Sequence, residues 1–292
     1  MINLGDVAIV GSEGYISQFI IKALKNCNHD QNIIKIDKIK REDIFYLDLE
    51  EPDKFDFNIL DNIEYLVFTA AISGPDACAK EFEKCWKINV IGTSYVIREA
   101  LKRKCKVLFF SSDAVYGDIP GCVYNELSKT QALTPYGKMK KAVEDDFKAE
   151  QNFKCIRLSY VVSAKDRFIS YCLACITKHE TAEIFHPFYR NCTTISDVVK
   201  VVIWLKSNWD KLDSYCLNVT GNELVSRVRM ADELNRIYCD KLNYTIVTPS
   251  NEFYVNRPAI TQMESLYLYN LGILEESSFT KKIQKEMENV IL

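Results

Sequence analysis

The apolar run Asp6-Val7-Ala8-Ile9-Val10 passes directly into Gly11-Ser12-Glu13-Gly14-Tyr15-Ile16-Ser17, and then into Ile16, Phe19, Ile20, Ala23 and Leu24 at helical spacing. A strand, a glycine turn and a helix start in that order predict a phosphate cradle. Glycines let the backbone approach an anion, and the first N–H groups of a helix face it. Such a cradle lies at the carboxyl end of the first strand of a parallel sheet. An ordinary tight turn is the bland alternative, and the downstream spacing favours the cradle.

A second apolar strand, Ile33-Ile34-Lys35-Ile36, ends in Asp37, at about the distance expected of the carboxylate that grips adenosine ribose hydroxyls. An acid there repels a ribose phosphate, so NAD is expected, with NADP the alternative because Lys38 follows. Apolar runs near 6–10, 32–36, 65–69, 106–112 and 154–158 alternate with helical stretches. That alternation predicts an α/β fold, a doubly wound parallel sheet with helices on both faces. Beyond residue 160 the pattern loosens. The expected division is a dinucleotide-binding domain over 1–160, with 196–220 returning to it as a helix and a strand, and a smaller C-terminal α/β substrate domain over 161–195 and 221–292.

Tyr136 and Lys140 lie four residues apart after Thr134-Pro135, with Ser111-Ser112-Asp113 upstream at the end of an apolar run. Thr134 can cap a helix and Pro135 fits its first position, so the phenol and the ammonium share one face near the positive end of the helix dipole. The Lys charge is expected to favour the phenolate and prepare it for proton transfer. This chemistry suits oxidation of an alcohol or reduction of a ketone.

Together these residues resemble the extended short-chain dehydrogenase/reductase family, the NAD-dependent epimerase/dehydratase group, in its nucleotide-sugar branch and most of all its dTDP-4-dehydrorhamnose reductase-like members. The resemblance covers nearly the whole chain. Gly11, Gly14 and Ser17 stand on GxxGxxG, with serine for the third glycine and a slightly wider helix-to-sheet spacing expected. Asp48-Leu49 matches the pair that meets the adenine, Thr69-Ala70-Ala71 the loop after the third core strand, and Asn89-Val90-Ile91-Gly92-Thr93 the NVxGT helix. Ser111-Ser112-Asp113-Ala114-Val115-Tyr116-Gly117 matches SSxxVYG, which assigns the catalytic hydroxyl to Ser112. Pro135-Tyr136-Gly137-Lys138-Met139-Lys140 matches PYGxxK, and Arg157-Leu158-Ser159-Tyr160-Val161 matches the RLSxV strand, with Tyr160 where the family usually has Asn.

The resemblance implies a Rossmann-type fold, catalysis by Ser112, Tyr136 and Lys140, and a cofactor lined by Gly11, Gly14, Tyr15, Ile16, Asp37, Asp48, Leu49, Thr69, Ala70, Ala71, Asn89, Ser111, Tyr136, Lys140, Ser159 and Val161. Arg190, ahead of Ile195-Ser196-Asp197-Val198, and Arg257-Pro258 resemble the two arginines that reach a nucleotide-sugar diphosphate, a task suited to a planar guanidinium. Ile72 and Asp113 are implied as substrate neighbours, and a homodimer as the assembly. A keto-sugar reductase is expected. The alternatives are an NDP-sugar 4-epimerase that retains its NAD, and a non-catalytic cofactor-binding regulatory subunit. Dehydration is disfavoured, because Ala114 stands where the dehydratases of this branch carry a glutamate.

At 292 residues and 48% hydrophobic, the chain can bury a full core. A net charge of -3 leaves no footprint for nucleic acid. The opening shows no secretory signal and no run reaches membrane-spanning length, so no membrane association and a cytoplasmic location are expected. Eleven cysteines without repeating spacing read as reduced thiols. Cys172-x-x-Cys175 falls in an apolar helical run and reads as core, and the scattered His29, His179 and His186 give no metal site.

Overall fold

The computed structural model describes residues 6–27 and 31–291; His29 lies outside them. The chain divides into two units. The first comprises the chain up to Gly117, Lys129–Arg157 and Val199–Leu217, and the second Asp118–Ser128, Leu158–Val198 and the chain from Asn218 onward.

The first unit is organised by a seven-stranded sheet. Its order is Cys216–Val219, Phe153–Leu158, Lys106–Ser112, Ile63–Phe68, Asp6–Val10, Ile33–Asp37 and Phe45–Tyr46. The strand Asp6–Val10 pairs in parallel with both neighbours, Val7 opposite Ile33 on one side and Tyr65 on the other. Val7 to Val10 are buried on both faces, as a parallel sheet covered by helices requires. The chain order reverses at Asp6–Val10, so the turn that follows sits at the topological switch point. The helix Tyr15–Cys27 buries Ser17, Ile20, Ile21 and Leu24, one stripe at helical spacing. Phe68, Phe109, Phe147 and Phe153 anchor a core with Val10, Leu66 and Met139.

The second unit carries a four-stranded sheet in the order Leu224–Ser226, Tyr189–Asn191, Ile260–Met263 and Val123–Tyr124. Two strand pairs accompany it, Val161–Val162 with Thr193–Thr194 and Ala182–Phe185 with Tyr244–Val247. Its core packs the helices Arg167–Lys178, Arg227–Ile237 and Phe279–Met287 through Ile169, Leu234 and Ile283. Cys172 and Cys175 are buried in that core on the first of these helices. The segment Asp118–Ser128, counted with the first domain from sequence, groups with the second unit because Val123–Tyr124 adds a parallel strand to Ile260–Met263. A two-residue strand has too little pattern to be read in advance. No helix among the described residues is long and apolar enough to cross a membrane.

Candidate active site

The turn after the first strand is built for close approach. Gly11 has φ +85°, and a Cβ there would lie 2.7 Å from the Ala70 nitrogen and the Thr69 hydroxyl. The Gly11 and Ser12 amides donate to the Ile36 carbonyl, and the Gly14 amide to the Gly11 carbonyl. Tyr15 and Ile16 then open the helix, whose first amides have no partner within the helix. The Ser12 hydroxyl is buried without a hydrogen-bond partner. An orphaned hydroxyl inside a glycine cradle at a helix start fits a phosphate-bearing cofactor. At the third glycine position, the buried Ser17 hydroxyl meets the Thr69 hydroxyl at 2.8 Å, and Thr69 donates to the Val10 carbonyl at 2.9 Å. The serine thus adds a polar tie between helix and sheet.

Asp37 ends its strand with one carboxylate oxygen accepting from the Glu13 amide at 2.8 Å and the other from the Lys38 amide at 2.7 Å. The carboxylate is thereby fixed against the glycine turn. The Lys38 ammonium lies 2.9 Å from Asp48 and 3.1 Å from Glu50, which raise its pKa through hydrogen bonding. Its charge is therefore already balanced. Leu49 is buried beside Asp48. Asn89, within a wider π-helical turn at Lys87–Gly92, accepts from the Ile72 amide at 2.8 Å and donates to the Ile72 carbonyl at 2.9 Å. One side chain therefore holds the whole Thr69-Ala70-Ala71-Ile72 loop end, while the Thr69 and Ala70 amides donate to the Val10 carbonyl.

Thr134 caps the helix Pro135–Phe147 by accepting from the Gly137 amide at 3.2 Å, with Pro135 in the first turn. A Cβ on Gly137 would fall 2.2 Å from the Ala114 carbonyl. Only glycine lets this helix start press against Ser112-Asp113-Ala114. Ser112 donates to Asp113 at 3.0 Å and accepts from the Ala114 amide at 3.2 Å. Lys140 is buried, its ammonium 2.7 Å from the Phe110 carbonyl, 4.5 Å from the Phe109 ring centre and 5.8 Å from that of Tyr136. Burial lowers its pKa from 10.5 to about 8.

The phenol differs from the sequence expectation. Burial raises the Tyr136 pKa above its ordinary value, and the charges of Asp113 and Cys78 add to the rise. The Lys140 ammonium is bonded to the Phe110 carbonyl, and at Tyr136 burial is the leading cause of the rise.

Behind this face lies a polar core that the motifs did not single out. Glu144, one further turn along the helix from Lys140, accepts from Arg157 Nε at 3.1 Å and from the Ser111 hydroxyl at 2.5 Å. Arg157 also donates to the Tyr116 hydroxyl at 2.9 Å and the Tyr215 hydroxyl at 2.8 Å. Both charged partners are about 1% exposed. Ser111 is thereby a tether, holding the strand end next to Ser112. The spacing 136, 140, 144 was the available signal.

In the second unit, Ser159 is buried with its hydroxyl unpartnered, and Val161 begins the short strand paired with Thr193. Tyr160 donates to Asp166, which caps the helix Arg167–Lys178. Arg257 donates to the Phe253 carbonyl at 3.1 Å and lies 4.8 Å from that ring. Arg190 lies on the strand Tyr189–Asn191. It is 7% exposed, and its guanidinium donates to the carbonyls of Pro258 at 2.6 Å, Tyr189 at 2.6 Å and Ala259 at 3.3 Å. These bonds tie its guanidinium to the backbone next to Arg257. Among the described residues no cluster of three His, Cys, Asp or Glu could hold a metal.

The family model of the NAD dependent epimerase/dehydratase family matches residues 7–217. The chain belongs to this family. No curated protein matches it in sequence. Among solved structures, dTDP-4-dehydrorhamnose reductase from Yersinia enterocolitica is similar with a TM-score of 0.84 and 21% identity over 98% of this chain and 100% of that one. MoeE5 in complex with UDP-glucose and NAD gives 0.81 and 22% over 97% and 98%. UDP-glucose 4-epimerase from Thermotoga maritima gives 0.77 and 16% over 97% of each chain. At these identities the likeness concerns the fold, a Rossmann-type α/β architecture.

Proposed function

We infer that this protein is an NAD(H)-dependent oxidoreductase that reduces a ketone on a nucleotide-diphosphate sugar. The observation that carries the reading is geometric: the helix that bears Tyr136 and Lys140 starts against Ser112-Asp113-Ala114, on the same unit as the glycine cradle. A neutral phenol is the form that donates a proton to the oxygen of a ketone as it is reduced. In this reading the Ser112 hydroxyl donates a hydrogen bond to that oxygen, and Lys140 orients the cofactor ribose and offsets charge left on Tyr136. The bound nicotinamide supplies the hydride.

Gly11, Gly14, Tyr15 and Ile16 hold the dinucleotide phosphates. Asp37 faces the adenosine ribose, and Asp48, Leu49 and the loop held by Asn89 flank the rest. NAD is favoured over NADP by the anchored Asp37 carboxylate and by the pairing of Lys38 with acids. By the resemblance, Ser159 and Val161 are assigned to the nicotinamide, and Ile72, Asp113, Arg190 and Arg257 to the substrate. Two of the similar solved structures are named as a reductase and an epimerase of nucleotide sugars, which supports the substrate class. An intact Ser112, Tyr136 and Lys140 disfavours a purely regulatory subunit.

The deciding experiment presents the purified protein with a panel of nucleotide 4-keto sugars and nucleotide sugars, each with NADH and NADPH, and follows cofactor absorbance and product mass. Reduction adds two hydrogens and consumes NADH. A product of unchanged mass without net cofactor turnover assigns the epimerase reaction instead. A product lighter by one water overturns both.

A further inference from the structure

We propose that Arg227 is an anion anchor for the substrate diphosphate, in addition to the two arginines that the resemblance implies. The proposal rests on the nucleotide-sugar reading above. Arg227 is wrapped in rings, its guanidinium 4.6 Å from the centre of Phe188, 5.1 Å from Phe168, 5.6 Å from Phe253 and 6.0 Å from Phe185. Phe188 is shared with Arg190 at 4.3 Å, and Phe253 with Arg257 at 4.8 Å. Three guanidiniums are thus interleaved with two phenyl rings in one region of the second unit.

Arg227 is the member of this ladder whose charge is unanswered. Its Nε is buried without a hydrogen-bond partner, and no described carboxylate pairs with it. Asp166, whose charge bears on Tyr160 together with that of Arg227, is already engaged by the Tyr160 hydroxyl and the Phe168 and Ile169 amides. The placement has a further cost. Arg227 occupies the first position of the helix Arg227–Ile237, capped by Ser226, where the positive end of the helix dipole opposes a cation. Ring faces attract a guanidinium but satisfy none of its five in-plane donors. A half-buried cation whose Nε is shut away from water, beside two like charges and a helix start, gains hydrogen bonds and a counter-charge when an anion with several acceptor oxygens binds in the ladder. A diphosphate has that chemistry.

Calorimetric titration of the full chain with UDP, dTDP, GDP, CDP and ADP, with uridine, and with inorganic pyrophosphate tests the assignment. Arg227→Gln is expected to weaken the preferred nucleoside diphosphate, and pyrophosphate, ~10- to 100-fold. Arg227→Lys should recover part of the loss, and NAD affinity should stay at the wild-type value. The melting temperature of Arg227→Gln without nucleotide should equal or exceed that of wild type, which a packing role would lower. Wild-type diphosphate affinity in both variants, with loss in Arg257→Gln, overturns the anchor and leaves the nucleotide-sugar reading intact. If no nucleoside diphosphate binds the wild type, the nucleotide-sugar reading fails. Pyrophosphate then decides the anchor alone, and binding that ignores Arg227 overturns it too. A fall in melting temperature shared by the Gln and Lys variants, with pyrophosphate affinity unchanged, assigns the residue to packing.

Discussion

Replacing Lys140 by methionine should separate the cost of the buried ammonium from its use. Burial lowers the pKa of Lys140 from 10.5 to about 8, so between those values the unfolded chain binds a proton that the native protein lacks. Stability attributable to this group therefore rises as pH passes upward from about 8 to 10.5, and the penalty is present in full below about 8. The depression corresponds to about 3 kcal/mol. Methionine fills a similar volume and abolishes that penalty, but it leaves the Phe110 carbonyl without its donor, a loss of about 1–2 kcal/mol, and removes the contact with the Phe109 ring. The variant should consequently be about 1–2 kcal/mol more stable than wild type near neutral pH, and about 1–2 kcal/mol less stable at a pH above about 10.5. Urea denaturation of both proteins at the two pH values measures this, because other titrating groups cancel in the difference. Turnover should be lost at every pH. A stability difference that does not change with pH would falsify the account of Lys140 as a buried charge.

Tyr136→Phe should lower turnover ~100- to 10,000-fold while NAD affinity stays within error, since only the transferable proton is lost; wild-type turnover would remove Tyr136 from the mechanism. Glu144→Ala leaves Arg157 buried beside two tyrosine hydroxyls and frees Ser111, so urea unfolding should show a loss of about 3–5 kcal/mol, and a value near zero would mean the pair is not buried in solution. Asp37→Ser removes the fixed carboxylate, and calorimetry should find NADP binding strengthened relative to NAD; an unchanged ratio assigns selectivity elsewhere. Gly11→Ala demands a φ of +85° and a Cβ inside the Thr69-Ala70 contact, so NAD binding should disappear, and retained affinity would count against the cradle.

The first unit was legible because its signals are local. A strand of consecutive buried residues, a glycine at positive φ and a capped helix start each occupy fewer than ten residues, and Asp6–Val10, Gly11 and Thr134-Pro135 carry them without help from distant chain. The second unit was read only as a loosened pattern. Its sheet joins strands of two to four residues from four separated segments, one of them Val123–Tyr124, and at that length a period of two leaves no trace. The surroundings of Arg190 were illegible for a related reason. Order and spacing place its backbone beside the later Arg257-Pro258, yet whether a guanidinium meets ligand or carbonyl depends on which backbone lies against it, and here Pro258 and Ala259 do.

The ionisation of the site was the least legible part, and the reason bears on the reaction. Four residues separate Tyr136 from Lys140, and from that spacing alone the cation favours the phenolate. What spacing omits is how deeply each group lies and what else faces it. Lys140 meets the Phe110 carbonyl and the Phe109 ring, Tyr136 meets the field of Asp113, and both lose water. Burial thus keeps the phenol as an acid and lowers the Lys140 pKa to about 8, at which the ammonium still prevails near neutral pH. Such a pair gives up a proton from Tyr136 most readily when negative charge builds on an oxygen beside it, as on a ketone receiving hydride, and the Lys140 ammonium stabilises the phenolate that remains. By microscopic reversibility the same pair serves oxidation of an alcohol along the reverse path, so the substrate and the oxidation state of the cofactor, rather than this pair, set the direction.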